Sequence, residues 1–190
     1  MLSAAKKADK IRTVKTRLDT DRKNIVLIGM CGVGKSTVGV LLAKALGRHF
    51  IDTDVHIQAV ENRTLQQIID EGGIDAFCDI EQNHILSIDA QNAVIATGGS
   101  AVYRPKAMEH LAETGIIMHL DLDYDTIEDR VTNLYTRGVV MAPGQTLRTL
   151  HQERQPLYKK YSNLTVDCAG KNHEQIVDEI IARLAASQRP

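Results

Sequence analysis

The residues of this 190-residue chain best suited to chemistry are Gly29-Met30-Cys31-Gly32-Val33-Gly34-Lys35-Ser36-Thr37. They satisfy G-x-x-x-x-G-K-[ST] at every fixed position. Glycine at 29, 32 and 34 opens backbone angles closed to other residues and lets amides approach a phosphate chain. The N–H groups from Gly32 and Val33 through Gly34, Lys35, Ser36 and Thr37 fall where a helix begins, and its dipole favours negative charge there. Lys35 is expected to reach the β- and γ-phosphates, and the Ser36 hydroxyl to bind Mg²⁺. The cofactors expected from this stretch are ATP and Mg²⁺.

Two carboxylates follow at Asp52 and Asp54. Side chains alternate along extended chain, so residues two apart point the same way. One of the pair could hold Mg²⁺, directly or through water, and the other could accept a hydrogen bond from a substrate hydroxyl. The plainer reading of Asp-Thr-Asp is a helix cap beside a solvated acid. Further on, Thr97-Gly98-Gly99-Ser100 is a small-residue loop, and Arg137 and Arg154 are candidates for closing over the site. Phosphoryl transfer leaves the protein mainly positioning and charge neutralisation, which suits an arginine that arrives on closure and excludes water. Either arginine could equally be an ordinary surface residue. From 55 to 100 the only Lys or Arg is Arg63. That is thin support for an acceptor phosphate, which arginine forks usually hold. Small neutral or monoanionic acceptors fit better.

The elements that must position these residues alternate. The run 25–28 reads as a buried strand feeding the glycine loop, and 38–46 as a helix that Gly47 caps. A strand over 50–54 leads to a helix over 55–61 capped by Asp54 or Thr53. Thr64 to Asp70 reads as a short helix stopped by Gly72-Gly73, and 74–90 as a longer one with Phe77, Ile80, Ile85 and Leu86 as buried candidates. Strands over 93–96, 116–122 and 164–166 follow, with helices over 105–113, 126–134, 146–161 and 173–186. Residues 135–145 lack periodicity and read as a mobile surface segment. Such alternation predicts an α/β fold with a central parallel sheet. Ligands of such sheets bind beyond the carboxyl ends of the strands, which places the 29–37 loop, Asp52 with Asp54, and Gly98-Gly99-Ser100 on one rim.

Residues 1–22 stand apart as a basic amphipathic extension, and 23–190 as one phosphate-loop domain. The first 23 residues carry a net charge of +5, so the rest carries −6 against a total of −1. Ala4, Ala8, Ile11, Val14 and Leu18 lie near one face at helical spacing. The extension reads as a docked helix or a partly disordered end, or as an arm for a membrane surface or partner. Asp9, Asp19 and Asp21 argue against a mitochondrial transit peptide. The near-neutral total argues against nucleic acid as a partner. Cys31, Cys78 and Cys168 show no C-x-x-C spacing, which argues for a reducing, cytoplasmic setting and against zinc. Cys31 and Cys168 read as small fillers, and His84 as structural. No apolar run reaches membrane-span length. A monomer or weak homo-oligomer is expected.

The chain resembles the shikimate kinase family, within the nucleoside-monophosphate-kinase-like phosphate-loop enzymes. The likeness covers about 24–184 and rests on Gly29 to Thr37, Asp52-Thr53-Asp54, Thr97-Gly98-Gly99-Ser100-Ala101-Val102 and Arg154-Gln155-Pro156-Leu157-Tyr158, in that order. The resemblance implies a three-layer α/β/α P-loop NTPase fold with five parallel strands ordered 2-3-1-4-5. It implies ATP-dependent phosphorylation of a ring hydroxyl, with shikimate as the small-molecule substrate. Lys35 and Asp54 would be catalytic, and Ser36 and Asp52 would serve Mg²⁺. Asp54, Gly98, Gly99 and Arg154 would contact the acceptor, and Arg137 would be the lid arginine near the ATP phosphates. Four positions depart from the family, and the first is Gly72-Gly73, which stands where the family has Gly-Glu. Phe77-Cys78-Asp79-Ile80-Glu81 stands where the family has Phe-Arg-x-x-Glu, so an arginine for the shikimate carboxylate is missing. Ser100 replaces the third glycine of Gly-Gly-Gly. Arg137-Gly138-Val139-Val140 replaces Arg-Pro-Leu-Leu. A charge-assisted contact contributes ~1.5–3 kcal/mol, so the missing arginine corresponds to roughly one to two powers of ten in binding. The alternatives are a kinase of another small polyol or hydroxy acid, or an ATP-binding regulatory protein with a degraded acceptor site. A GTPase switch is disfavoured, since no Asn-Lys-x-Asp is present.

Overall fold

The structure is a computed structural model that describes residues 4–21, 23–131 and 138–186. Five parallel strands form its centre: β1 (Asn24–Ile28), β2 (His49–Asp52), β3 (Ala93–Ala96), β4 (Gly115–Asp121) and β5 (Leu164–Asp167). Their order is β2-β3-β1-β4-β5, the expected 2-3-1-4-5. Around the sheet lie α1 (Ala4–Asp21), α2 (Lys35–Leu46), α3 (Thr53–Glu61), α4 (Leu65–Leu86), α5 (Pro105–Thr114), α6 (Tyr124–Arg130), α7 (Leu147–Tyr161) and α8 (His173–Ala186).

The central strand explains the order. All five residues of β1 are buried, as a strand covered on both faces must be. Val26 pairs with Ile95 on one side and Ile117 on the other. The Asn24 side chain accepts from Ala93 N–H and donates to Ala90 O, which fixes β3 against β1 where the sheet begins. With few aromatics, the main core is aliphatic, built from β1, β3, β4 and the inner faces of α2, α5 and α8. A second, smaller cluster joins Ile57, Leu65, Ile68, Phe77, Cys78 and Val140 above the sheet rim.

Several local expectations change. The helix after β2 begins at Thr53, and its cap is Asp52, not Asp54 or Thr53: Asp52 Oδ1 accepts from the amides of Asp54 and Val55. The extended-chain argument for a parallel Asp pair therefore fails, because Asp54 already sits in the first turn of α3. The two helices expected around Gly72-Gly73 form one element, α4, kinked at Gly73 (φ 79°, ψ 174°) and ending at Leu86 rather than at 90. The helix expected over 126–134 is α6, Tyr124–Arg130. In the N-terminal extension, α1 packs on α2 and α8: Val14 is buried, Ile11 partly so, and Lys7 pairs with Asp178 at 2.6 Å. Ala8 of the expected apolar face is exposed.

Candidate active site

The glycine loop sets the donor end of a cavity. Gly34 caps α2 with φ 100° and ψ 19°, a left-handed conformation that side-chain-bearing residues adopt only under strain. This turns the first amides of α2 toward the open space above β1. Lys35, at the first position of α2, folds its side chain back over the loop. Its Nζ donates to Gly29 O at 2.7 Å and Met30 O at 2.9 Å. Burial pushes its pKa below the ordinary value, with Cys31 and Asp54 opposing. Ser36 and Thr37 are exposed at the same helix end.

A cavity of about 520 Å³ opens over this loop. Gly32, Gly34, Lys35, Ser36 and Thr37 line it, and so do Asp54, Gly98, Gly99 and Arg154 from elsewhere in the chain. Parallel strands place the ends of β1, β2 and β3 on one rim, so these separated loops meet by topology. Val33 is buried beneath the loop. Asp52 does not line the cavity; one of its oxygens is held by the α3 cap, and its charge acts on Lys35. Arg137 lies outside the described residues. Arg63 pairs with Glu61 and Glu71 on the outside and plays no part in the cavity. His84 bonds to Glu61 at 2.9 Å, away from the cavity, in the structural role expected of it. Cys168 is buried, but Cys31, read as a filler, lines the cavity.

Across the cavity from the glycine loop, Gly98 is the most tightly enclosed position. A Cβ there would stand 2.2 Å from Glu81 Oε1 and 2.7 Å from Asp54 Oδ1, so any larger residue would have to displace these two carboxylates. Its amide donates to Thr53 Oγ1 at 3.0 Å, which ties the loop to the start of α3. Burial raises the Asp54 carboxyl to about 6, with Lys35 pulling it down. It is therefore mostly ionised at neutral pH and able to accept a proton or hydrogen bond.

Arg154 is no surface arginine: only 1% of it is exposed. Its Nε donates to Tyr103 Oη at 3.1 Å and its Nη2 to Val140 O at 2.8 Å. Those bonds leave Nη1 turned inward, 2.9 Å from where a Cβ on Gly99 would be. Tyr158, one turn further along α7, donates to Gly99 O at 2.8 Å and stacks on His119. One face of α7 thus fixes Gly99 and holds a guanidinium above it.

Several residues of this site went unassigned in the sequence. Glu81 is 1% exposed and accepts from Ser100 Oγ at 2.7 Å. Its spacing from Phe77, one helical turn, is the signal that places it on a buried face. Tyr158 carries the same signal relative to Arg154. Arg130 and His173, which line the cavity beside the glycine loop, carry none.

Comparison with known proteins agrees with this geometry. A family model described as shikimate kinase matches residues 31–185. A shikimate kinase of Thermodesulfovibrio yellowstonii is 36% identical over 162 residues, covering 84% of this chain and 93% of its own. One of Rhodopseudomonas palustris is 37% identical over 163 residues, covering 84% and 80%. A shikimate kinase structure from Acinetobacter baumannii in complex with shikimate superposes with a TM-score of 0.75 at 30% identity, covering 87% of this chain and 93% of its own.

Proposed function

The chain belongs to the shikimate kinase family, phosphotransferases that act on a hydroxyl of shikimate, and we propose that its cavity performs this transfer from ATP with the residues named above. The observation that carries the assignment is convergence. A phosphate loop, a half-buried aspartate and a buried arginine, distant in sequence, line one cavity.

In this reading the amides of Gly32 to Thr37 hold the phosphate chain. Lys35 exchanges its bonds to Gly29 O and Met30 O for phosphate oxygens. Asp54 accepts the hydrogen bond of the attacking hydroxyl and takes its proton as the new bond to phosphorus forms. Arg154 presents Nη1, and the free edge of Nη2, to the acceptor carboxylate, while Tyr103 and Val140 O prevent it from swinging away. Gly98 and Gly99 supply the floor. For Mg²⁺, a hard cation that prefers oxygen and keeps several waters, Ser36 and Asp52 are a fitting pair. Ser36 is exposed in the first turn of α2, and Asp52 is held in place by two amides. Bound there, the ion would neutralise phosphate charge. Arg137 is proposed as the lid arginine. Among the described residues no helix is long and apolar enough to cross a membrane. A cytoplasmic setting is supported by the three free thiols, and a monomer or weak homo-oligomer is the proposed state.

The test is ADP release in a coupled assay with shikimate, quinate, gluconate and aminoshikimate. Turnover that depends on shikimate is expected. None above background ATPase at millimolar shikimate would overturn the assignment. One observation favours a second reading, a different hydroxy acid as preferred acceptor. Cys78, at the family arginine's position, lies in the apolar cluster and not on the cavity wall. The same panel decides it.

A further inference from the structure

Glu81 has no part in the transfer described above, yet it lies directly behind the acceptor loop. Oε2 accepts from Ser100 Oγ at 2.7 Å, and Oε1 has no hydrogen-bond partner. A buried carboxylate ion with one hydrogen bond is costly, whereas a neutral carboxylic acid is not. The charged and polar groups facing it are Asp54 from α3, Lys35 from α2, Arg154 from α7 and Ser100 from the loop, with Cys78 on its own helix. The neighbouring carboxylate aggravates the cost, since Asp54 Oδ1 and Glu81 Oε1 converge on the same point at Gly98. Two carboxylates so placed do not both ionise readily. The side chain three residues before Glu81, where a cation would offset it, is the neutral thiol of Cys78. Burial first, and Asp54 second, push the Glu81 carboxyl up to about 7, against the pull of Ser100, Arg154 and Lys35.

This matters because Arg154 is the one guanidinium reaching the acceptor end among the described residues. With phosphates bound, the Lys35 charge is committed to them. An ionised Glu81 then leaves two carboxylates against one arginine, while a neutral Glu81 leaves the two sides balanced before the acceptor's own charge arrives. We propose that Glu81 is a specificity-determining residue of the acceptor site: held as an uncharged acid behind Gly98, it leaves the Arg154 charge free to take an acceptor with one carboxylate. Cys78 is the substitution that permits this state, by removing a cation, while the Ser100 hydroxyl opposes it by donating to the carboxylate. The proposal rests on the acceptor being a hydroxy acid such as shikimate.

Two measurements test it. In the infrared spectrum of the protein without substrates, the protonated carboxylic band at pH 6 should vanish by pH 8.5 and be weaker in Glu81→Gln, where only the Asp54 share remains. In steady-state kinetics at saturating ATP, KM for shikimate should rise roughly five- to tenfold from pH 6 to 8.5. In Glu81→Gln it should stay flat at the low-pH value. No Glu81-dependent band at pH 6, the same KM rise in Glu81→Gln, or a tenfold higher KM in that variant at pH 6 would each overturn the proposal. Should Glu81→Gln not fold, Ser100→Ala replaces it. Removing a donor to the carboxylate should move the KM rise to higher pH, and no shift or a shift to lower pH refutes the idea. The infrared arm needs no acceptor, so a wrong substrate assignment and a wrong role for Glu81 give different results.

Discussion

The two ends of the cavity are built by different rules. The donor end is nine consecutive residues, Gly29 to Thr37, whose work is done mostly by backbone amides at the start of α2. The acceptor end takes side chains from α3, α4 and α7 and a loop after β3, and its groups meet only when the sheet is complete. A backbone site tolerates change outside its glycines, lysine and serine. A side-chain site is retuned whenever one contributor changes, and the acceptor end carries the two such changes, Cys78 and Ser100. On the proposed reading, the donor chemistry is thus fixed, while acceptor preference is open to adjustment.

The sharpest way to break this comparison is at the junction of the two ends. Lys35→Ala removes the charge that would meet the phosphates and should lower kcat at least a thousandfold. Retained turnover would mean that the loop does not hold the transferred group. Asp54→Asn should come next, with kcat lower by a hundredfold or more and nucleotide affinity within about threefold. Measuring ATP binding by titration separates the outcomes, since equal loss of both would make Asp54 a metal-side residue of the donor end. Arg154→Lys should raise KM for shikimate roughly ten- to fiftyfold with less effect on kcat. A lysine ammonium cannot bond Tyr103 and Val140 O while still forking onto a carboxylate. A change in kcat alone would place Arg154 at the phosphates instead.

How far the sequence revealed each end follows from the same difference. The loop, Lys35 and Ser36 were legible because their chemistry is local and contiguous. The strand order followed from family likeness, and the parallel sheet from alternating elements. Asp54 was chosen correctly for the cavity but by an argument that does not hold, since it lies on a helix and Asp52 takes the cap. Arg154 could not be separated from a surface arginine, because its burial depends on Tyr103, Val140 and Gly99, which lie 14 to 55 residues away. Glu81 matches the family's glutamate and lies one turn after Phe77, which marks a buried face, but nothing in the sequence assigned it a role until the loop at Gly98 was seen to close over it.

The smallest expected effect tests whether position 78 still belongs to the acceptor end. Cys78 is 2% exposed and packs with Ile57, Leu65, Ile68, Phe77 and Val140, while the cavity wall beside it is formed by Phe77 and Leu65. Burial pushes its thiol up to about 11, so it is a neutral packing group at working pH. Cys78→Ala deletes one buried atom and should cost about 1 kcal/mol of stability, read as a lower midpoint in urea unfolding. KM for shikimate should stay within twofold. A tenfold change in KM without loss of stability would mean that the thiol reaches the acceptor after all, and the side-chain site would then extend one helical turn further along α4 than its geometry indicates.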